Sequence, residues 1–432
     1  MEKKVKILVI AAGGLAGPPA PELGGKTPLQ AARTPALDRL AAEGEAGGWL
    51  PAPPGWPPGP GTALQSFFGY PAFVPPGVLE AGGAGLELRE GEVAFRANFV
   101  CLRPGAISVV MFDPTGCGVS EEDGTALVDY LNAHMAPAEG EEMRLVSLGG
   151  HRALFTYRKE GESLAAAAVE GFSPPHEILG EPIGDHLPVA AEARRFVHIV
   201  NDSQMILSAH PGLREKTLES MFAANSLWLW GGGGKGKGRT APPAFPLSEK
   251  VGGREAAVVS SGPAAAGIAQ AGGARFIRLR AEGSGILREA AEAARAAMGE
   301  SEFVLLTEEG TGEATPGGSA DAAISFIERL DAEVIAPLLE NPGAGGPCRI
   351  AVLSDRALSG DSPAPYAAAD WAAGRLQPPP PAPEGLGGFV GRLFGRGGKA
   401  AGPDPERRLC DAPAAGGRPL SGDALRERLL AG

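Results

Sequence analysis

Residues 7–41 read ILVIAAGGLAGPPAPELGGKTPLQAARTPALDRLA. The apolar run Ile7–Ala12 predicts a buried strand, and the break at Gly13 and Gly14 begins a Pro-rich loop. An amphipathic helix is predicted from about Thr34 onward. A strand, a loop at its carboxyl end and a helix form the opening unit of an α/β sheet. In such sheets the loop beyond the first strand is where a ligand usually binds.

The length, charge and cysteine content narrow the class of protein. The chain has 432 residues, enough for one large domain with an insertion or for two domains. Its net charge of -12 argues against a nucleic-acid partner. The four cysteines lie far apart and form no CxxC spacing, so free thiols in a reducing cytoplasm are expected. The start of the chain lacks a convincing signal sequence, and no apolar run reaches transmembrane length, so the predicted location is cytoplasmic.

Further apolar stretches alternate with helical periodicity, as expected for an α/β fold. The region from Glu45 to Ser66 is rich in Gly and Pro, and no regular structure is predicted in it before Thr62. The predicted strands are Glu92–Phe99, Ile107–Phe112, Met143–Ser147, Ala153–Tyr157, Glu255–Ser260, Ala274–Leu279, Phe303–Thr307 and Arg349–Leu353. The predicted helices are Glu121–Ala133, Val189–Leu207, Ala264–Gln270, Leu287–Met298, Asp321–Leu339 and a terminal helix within Cys410–Leu430.

Four stretches resemble the archaeal-type cofactor-independent (2,3-bisphosphoglycerate-independent) phosphoglycerate mutases, which belong to the alkaline-phosphatase superfamily. They are PELGGKTPLQAARTPALDRLA (21–41), VLEAGGAGLELREGEVAFRANF (78–99), ANSLWLWG (224–231) and the helix that contains IERLD (327–331). The resemblance implies an α/β fold, with a mostly parallel sheet sandwiched by helices and a smaller inserted α+β domain. The alkaline-phosphatase-like core is expected at 1–98 and 186–432, with a Pro/Gly-rich insertion at 376–408. The inserted α+β domain is expected at 99–185.

The resembled enzymes transfer phosphate with two divalent metal ions (manganese, zinc or cobalt) and a serine that becomes phosphorylated. The position of that serine is Pro60 here, and proline has no side-chain oxygen to attack a phosphate. Asp355 keeps a carboxylate, and a surface ion pair with the adjacent Arg356 is expected. No catalytic residue, metal or other cofactor is therefore expected, and two divalent ions are implied only for an active mutase. The metal-ligand positions that the resemblance implies are Gly13, Gly61, Gly312, Pro316, Asp355 and Arg356, with another near Leu358.

Other residues could bind or react in place of the missing groups. Thr62 and Ser66 lie near Pro60 and could supply a hydroxyl, although a helix cap or helix surface is the preferred interpretation. The phosphate-clamping Asp-Arg-Arg-Ala-Gly-Arg run of the resembled family has the sequence DPTGCG at 113–118, without arginines. A flexible basic loop is preferred for the glycine-rich tract at 231–239, although its lysines could hold phosphate. The candidate binding residues are His176, Lys235, Lys237, Asp355 and Arg356.

These replacements predict a catalytically inactive homologue of the resembled enzymes that acts as a binding or regulatory protein. The alternatives are an active phosphoglycerate mutase, an isomerase of glycolysis that uses compensating residues, and a different metal-free reaction in the same cleft. The partner is expected to be a protein or a small molecule. Segment 385–399 is a candidate docking peptide, because it combines apolar residues at helical spacing with basic ones. A passive insertion and a plug that folds back over the cleft are the other interpretations of this segment.

Overall fold

The computed structural model describes residues 5–57, 59–162, 164, 169–220, 223–234, 246–280, 283–308, 320–355, 364–372, 375–377 and 419–431. The chain divides into two compact units, one formed by Met1–Phe73 with Ala244–Gly432 and the other by Val74–Pro243. Each unit contains its own sheet.

The described strands fall into these two sheets. In chain order they are β1 (Lys6–Ala12), β2 (Glu45–Leu50), β3 (Val93–Pro104), β4 (Val109–Asp113), β5 (Glu141–Gly149), β6 (Arg152–Lys159), β7 (Ser226–Gly234), β8 (Ala256–Ser260), β9 (Arg275–Arg278), β10 (Phe303–Glu308), β11 (Cys348–Ser354), β12 (Ala364–Ala372), β13 (Arg375–Gln377) and β14 (Leu420–Ser421).

The described α-helices alternate with these strands. They are α1 (Pro28–Ala31), α2 (Pro35–Glu43), α3 (Pro60–Phe68), α4 (Pro76–Gly83), α5 (Glu121–His134), α6 (Arg194–Ser208), α7 (Pro211–Ser220), α8 (Leu247–Lys250), α9 (Pro263–Ala271), α10 (Ile286–Glu300), α11 (Ala320–Leu330), α12 (Ala336–Glu340) and α13 (Gly422–Leu430).

The sheet of the first unit has the strand order β14-β2-β12-β11-β1-β10-β8-β9, and β13 pairs with β12. Strands β11, β1, β10, β8 and β9 run parallel, whereas β12 is antiparallel to β11 and to β2. Residues Ile7–Ala12 of β1 are at most 3% exposed, because a central parallel strand is covered on both faces. That burial explains the unbroken apolar run, and the predicted mostly parallel α/β sheet is confirmed.

A buried carboxylate joins α2 to the long helix predicted at Asp321–Leu339. The structure forms that helix as α11 and α12, with a π-helical turn at Asp331–Ile335 between them. Asp331 is 1% exposed and accepts hydrogen bonds from the backbone N–H groups of Leu37 (2.7 Å) and Ala36 (3.1 Å). These are N–H groups of the first turn of α2, which no residue of their own helix can satisfy. Asp331 therefore fixes α2, and with it the loop that follows β1.

The sheet of the second unit has the order β4-β3-β6-β5, and β7 pairs with β3. These pairings are antiparallel. One apolar core joins Phe95 and Phe99 of β3, Phe155 of β6, Phe196 of α6 and Trp228 of β7. The second unit, Val74–Pro243, therefore has a sheet and an apolar core of its own.

The unit boundaries differ from the domain boundaries expected at 99–185. Strand β3 pairs with both β6 and β7, so the residues before 99 and after 186 join the same sheet. The division accordingly lies at 73/74 and 243/244. The prediction that no regular structure precedes Thr62 was wrong, because Glu45–Leu50 forms β2. That strand is antiparallel to β12, which supplies the pairing that its Gly-rich sequence does not signal.

No helix in the described ranges is both long enough and apolar enough to cross a membrane.

Candidate functional site

The residues at the carboxyl ends of the parallel strands lie where an α/β sheet usually binds its ligand. Gly13 follows β1 directly and is buried, and Gly14 beside it has a φ of +86°. A Cβ atom on Gly14 would meet the Phe326 ring at 3.3 Å, so both the backbone and the space favour glycine. Asp355 follows the parallel neighbour β11, and its backbone N–H donates to the Ala12 carbonyl at 3.5 Å. The structure thus brings the first implied ligand position, Gly13, close to Asp355.

Asp355 is 3% exposed, so the expectation of a surface carboxylate was wrong. Its strand, Cys348–Ser354, is buried along its whole length and ends beside β1, which carries Asp355 into the interior. The predicted partner Arg356 lies outside the described residues, as do Gly312, Pro316 and Leu358. The ion pair between Asp355 and Arg356 stays a prediction.

Helix α3 holds the positions of the implied nucleophile and the second metal ligand. It begins at Pro60, and Gly61 in its first turn is buried. Thr62 is 4% exposed and donates to the Pro57 carbonyl at 2.7 Å. Ser66 is 6% exposed and donates to the Leu50 carbonyl at 3.5 Å. The expectation that these residues cap the helix or lie on its surface was wrong. The N-cap is Gly59, and both side chains are buried, where backbone carbonyls accept their hydroxyl groups.

A buried carboxylate at the end of β10 was not among the predicted site residues. Glu308 is 7% exposed and accepts a hydrogen bond from the Ser261 hydroxyl at 2.5 Å. It is in register with Ala12, whereas Asp355 follows Ser354, the other partner of Ala12. Glu308 is therefore the last residue of its strand, whereas Asp355 lies one residue beyond the end of β11. The signal in the sequence was a charged residue that closes an apolar run.

The described residues do not fit a pair of divalent metal ions. Gly13 and Gly61 have no side-chain donor, and Asp355 offers one carboxylate. Manganese and zinc pairs draw on several Asp, Glu and His ligands, because each ion needs at least three or four donors. Among the described residues no three His, Cys, Asp or Glu side chains are grouped closely enough to hold a metal ion.

A second polar site lies in the second unit and is here called the Trp230 cluster. Its members are Glu80 on α4, Arg96 and Asn98 on β3, Trp230 on β7, and His176; all but His176 come from stretches that carry the family resemblance. Arg96 and Glu80 form an ion pair with 3.1 Å between Nη1 and Oε1, and both side chains are at most 1% exposed. The Arg96 guanidinium lies over the Trp230 ring at 4.9 Å from its centroid. Trp230 donates its indole N–H to Asn98 Oδ1 at 2.9 Å, and the His176 ring meets it edge-on at 5.5 Å.

The charge of the Trp230 cluster is balanced inside the protein. The Arg96 guanidinium is screened by Glu80 and by the Trp230 ring, so it presents no free positive charge for a phosphate. His176 is the candidate binding residue that the structure places here, at the partly exposed rim of the cluster. Lys235 and Lys237, like segment 385–399, lie outside the described residues.

A hydrogen-bonded chain of three side chains was also missed by sequence reasoning. Ser173 Oγ lies 3.2 Å from His186 Nδ1, and His186 Nε2 lies 2.6 Å from Glu181 Oε2. The Ser173 carbonyl accepts the indole N–H of Trp228 at 2.9 Å. The chain therefore ties the segment around Ser173 to the sheet. The three residues are 5 to 13 positions apart, and only His186 lies in a regular element, the short 3-10 helix Ile183–His186, so no periodic pattern could have revealed them.

The loop DPTGCG follows β4, where the resemblance places phosphate-clamping arginines. The Asp113 carboxylate accepts from both the backbone N–H and the hydroxyl of Thr115, each at 2.6 Å. Asn98 donates its amide to the Pro114 carbonyl at 3.3 Å. These bonds fold the loop back against β3, and no guanidinium lies within the loop itself.

Comparisons with known proteins agree with one another. A model of the family described as 2,3-bisphosphoglycerate-independent phosphoglycerate mutase matches residues 41–212. The chain is 34% identical over 391 residues to the 2,3-bisphosphoglycerate-independent phosphoglycerate mutase of Methanopyrus kandleri, a match that covers 87% of this chain and 89% of the relative. It is 32% identical over 358 residues to a probable enzyme of the same name from Geobacter sulfurreducens, covering 81% of this chain and 86% of the relative. A solved structure from Pyrococcus horikoshii shares the fold, with a TM-score of 0.55 and 23% identity over 87% of this chain and 91% of that chain.

Proposed function

The chain belongs to the 2,3-bisphosphoglycerate-independent phosphoglycerate mutase family, and from that premise we propose that it is a non-catalytic member that binds a ligand or partner. The observation that carries this proposal is the chemistry at the implied site positions after β1 and at the start of α3. Gly13 and Gly61 offer no metal ligand, and Pro60 offers no nucleophile, whereas the described strands and helices of this unit are formed. A phosphoryl transfer needs positive charge at the transferring group and an attacking oxygen. Gly13, Pro60 and Gly61 supply neither.

A second candidate is an active phosphoglycerate mutase, and the comparisons favour it. The relatives that carry this name match more than four-fifths of this chain. Such activity would need compensating residues near the family positions. The sequence offers carboxylates at Glu309, Glu313 and Asp361, which are close along the chain to Gly312 and Arg356.

The deciding experiment measures metal content and interconversion of 3-phosphoglycerate and 2-phosphoglycerate on the full chain. The protein is assayed with added manganese, zinc or cobalt, and the Methanopyrus kandleri relative is assayed in parallel as the active control. We expect no stoichiometric metal and no turnover by this chain. Turnover with bound metal would establish the second candidate, and loss of that turnover in Glu313→Gln would identify a compensating ligand.

A matched variant tests the reason for inactivity. The variant restores the implied side chains at six positions through Gly13→Asp, Pro60→Ser, Gly61→Asp, Gly312→Asp, Pro316→His and Arg356→His. We expect it to gain metal binding by calorimetry while the natural chain shows none. Calorimetry with 3-phosphoglycerate on the natural chain then separates a phosphoglycerate-binding role, seen as saturable heat, from binding of another partner.

A further inference from the structure

Two of the four cysteines, Cys101 and Cys117, meet in the second unit although 15 residues separate them in the sequence. Cys101 lies on β3 in register with Asp113, the last residue of β4. The chain then turns back through the DPTGCG loop, which packs against β3 at Phe99, and this brings the Cys117 thiol close enough to Cys101 for each to influence the pKa of the other. Both are free thiols in this structure. The expectation of separate thiols did not anticipate this contact.

The backbone at Cys117 is strained. Gly116, Cys117 and Gly118 have φ values of 65°, 62° and 81°, and Cys117 is the one non-glycine residue with positive φ among the described residues. An L-residue in this conformation has its Cβ too close to the following carbonyl oxygen. The strain persists because the loop packs tightly, since a Cβ atom on Gly116 would lie 2.9 Å from the Phe99 carbonyl oxygen. A cysteine is thus held in a conformation that favours glycine, with its thiol against a second thiol.

The two thiols differ in access. Cys101 is 2% exposed, whereas Cys117 is exposed and lines a cavity of about 100 Å³. The same cavity is lined by Asp123 and Lys216, which form an ion pair at 2.5 Å. A small oxidant can therefore reach Cys117 from solvent, and Cys101 lies behind it.

We propose that Cys101 and Cys117 form a reversible intramolecular disulfide when the protein meets a low-molecular-weight disulfide such as oxidised glutathione. The thiolate of Cys117 attacks one sulfur of glutathione disulfide, which releases one glutathione thiolate and leaves a mixed disulfide on Cys117. The thiolate of Cys101 then attacks the Cys117 sulfur and releases the second glutathione thiolate. Two protein thiols are oxidised and one glutathione disulfide is reduced, and the two protons that the protein thiols lose are taken up, through solvent, by the two released glutathione thiolates.

Burial of the sulfur atoms and the nearby charges determine the rate of this reaction, because they determine the pKa of each thiol. Loss of hydration at the sulfur, followed by the nearby Cys101 thiol and Asp113 carboxylate, raises the pKa of Cys117 to about 12. Burial also raises the pKa of Cys101, although the Cys117 thiol, the Ala223 backbone N–H and Arg103 act in the opposite direction. Only the thiolate attacks a disulfide, so the reaction is slow at neutral pH. Its rate should rise about tenfold per pH unit between pH 7 and pH 9.

The test treats the reduced full chain with oxidised glutathione, blocks the remaining thiols with N-ethylmaleimide and determines the intact mass. We expect loss of two blockable thiols per chain with no retained glutathione. Cyanogen bromide cleavage after Met111 separates the two cysteines, so a non-reduced digest should contain one peptide pair joined through Cys101 and Cys117. Dithiothreitol should restore both thiols.

Three variants sharpen the test. Cys101→Ser should accumulate the glutathione adduct on Cys117, and Cys117→Ser should lose no thiol pair. Cys348→Ser, which removes a buried thiol of the first unit, should leave the bridge intact. A stable adduct on Cys117 of the natural chain, a bridge to Cys410 or to a second chain, or unchanged thiols at pH 9 would overturn the proposal. The digest of the natural chain decides the question even if Cys101→Ser does not fold, and no outcome depends on mutase activity.

Discussion

The implied catalytic positions of the first unit and the Trp230 cluster of the second unit differ in whether polar side chains are present. After β1 and in the first turn of α3, Gly13 and Gly61 stand where the family resemblance implies carboxylates. In the Trp230 cluster, the ion pair between Arg96 and Glu80 is complete and buried. A polar residue that holds an antiparallel sheet together is needed whether or not the protein reacts. A metal ligand is needed only for catalysis. The difference between the two regions is therefore the one expected of a protein that keeps the fold of its family but not the catalytic activity.

The largest expected effect comes from breaking the buried ion pair. Arg96→Met should lower the free energy of unfolding by about 3–5 kcal/mol, because it leaves the Glu80 carboxylate buried without its partner. Urea denaturation followed by tryptophan fluorescence measures this. The control Arg39→Met removes an exposed pair with Glu43 and should cost about 0.5 kcal/mol or less. If Arg96→Met lowers the free energy of unfolding by less than about 1 kcal/mol and also abolishes binding of a small molecule or partner by the protein, the cluster is a binding site.

The next effect concerns acid stability of the second unit. Burial raises the pKa of the Glu141 carboxyl, but hydrogen bonds from Arg195, the Ala138 N–H and Tyr157 outweigh it and lower the pKa to about 2. Because the ordinary value is 4.5, Glu141 stabilises the fold above pH 4.5, and this stability is lost as the pH falls toward 2. The contribution is about 3 kcal/mol.

Glu141→Gln should therefore flatten the decline of unfolding free energy between pH 5 and pH 2. The neighbouring Glu142, whose side chain is 52% exposed, provides the matched control Glu142→Gln. An equal flattening in both variants would show that Glu141 is not the group responsible.

A smaller effect tests the hydroxyl nearest the absent nucleophile. Thr62→Val should cost about 1 kcal/mol, since it removes a buried hydrogen bond to the Pro57 carbonyl while keeping the shape. Ser66→Ala should cost less, because its bond to the Leu50 carbonyl is 3.5 Å long. Thermal denaturation measures both. If the natural chain turns over phosphoglycerate and Thr62→Val abolishes that turnover, the strand ends are catalytic and the comparison fails.

The last expected effect is a gain in stability, similar in size to the loss from Thr62→Val. In reduced protein, Cys117→Gly should raise the free energy of unfolding by about 1 kcal/mol, because glycine adopts the positive φ without strain. Cys117→Ala keeps the strain and should bring no gain. Equal stability of the two variants would mean that the loop relaxes around residue 117.

The sequence predicted the parts of the fold that depend on local pattern. The run Ile7–Ala12 predicted the central strand β1 because a strand buried on both faces must be apolar throughout. Strands β2 and β12 were missed because EAGGWL and APYAAADWA contain few β-branched residues. Their pairing with each other forms them, and Trp49 of β2 is fully buried and donates to the Ser354 carbonyl at 3.0 Å.

The candidate sites depended more on three-dimensional context. The resemblance located Gly13, Gly61 and Asp355, but the burial of Asp355 follows from where β11 lies in the sheet. The Trp230 cluster gathers residues from four separate stretches, which no spacing rule connects. Cys101 and Cys117 meet because a turn reverses the chain after Asp113, and the glycines that allow the turn do not reveal its direction.

One edge of the first sheet, beside β2, is covered by β14. Strand β2 is flanked by the two-residue β14, and the following helix α13 is anchored by Arg426, which donates to the Phe67 carbonyl at 2.9 Å, and by Arg349, which donates to the Leu429 carbonyl at 2.9 Å. Without Leu420 and Ser421, the backbone groups of Trp49 and Leu50 that face β14 would be open to another strand. Open strand edges recruit further chains, which is how ordered aggregates begin. Strand β14 and helix α13, which holds it in place, therefore protect this part of the edge from pairing with a strand of another chain.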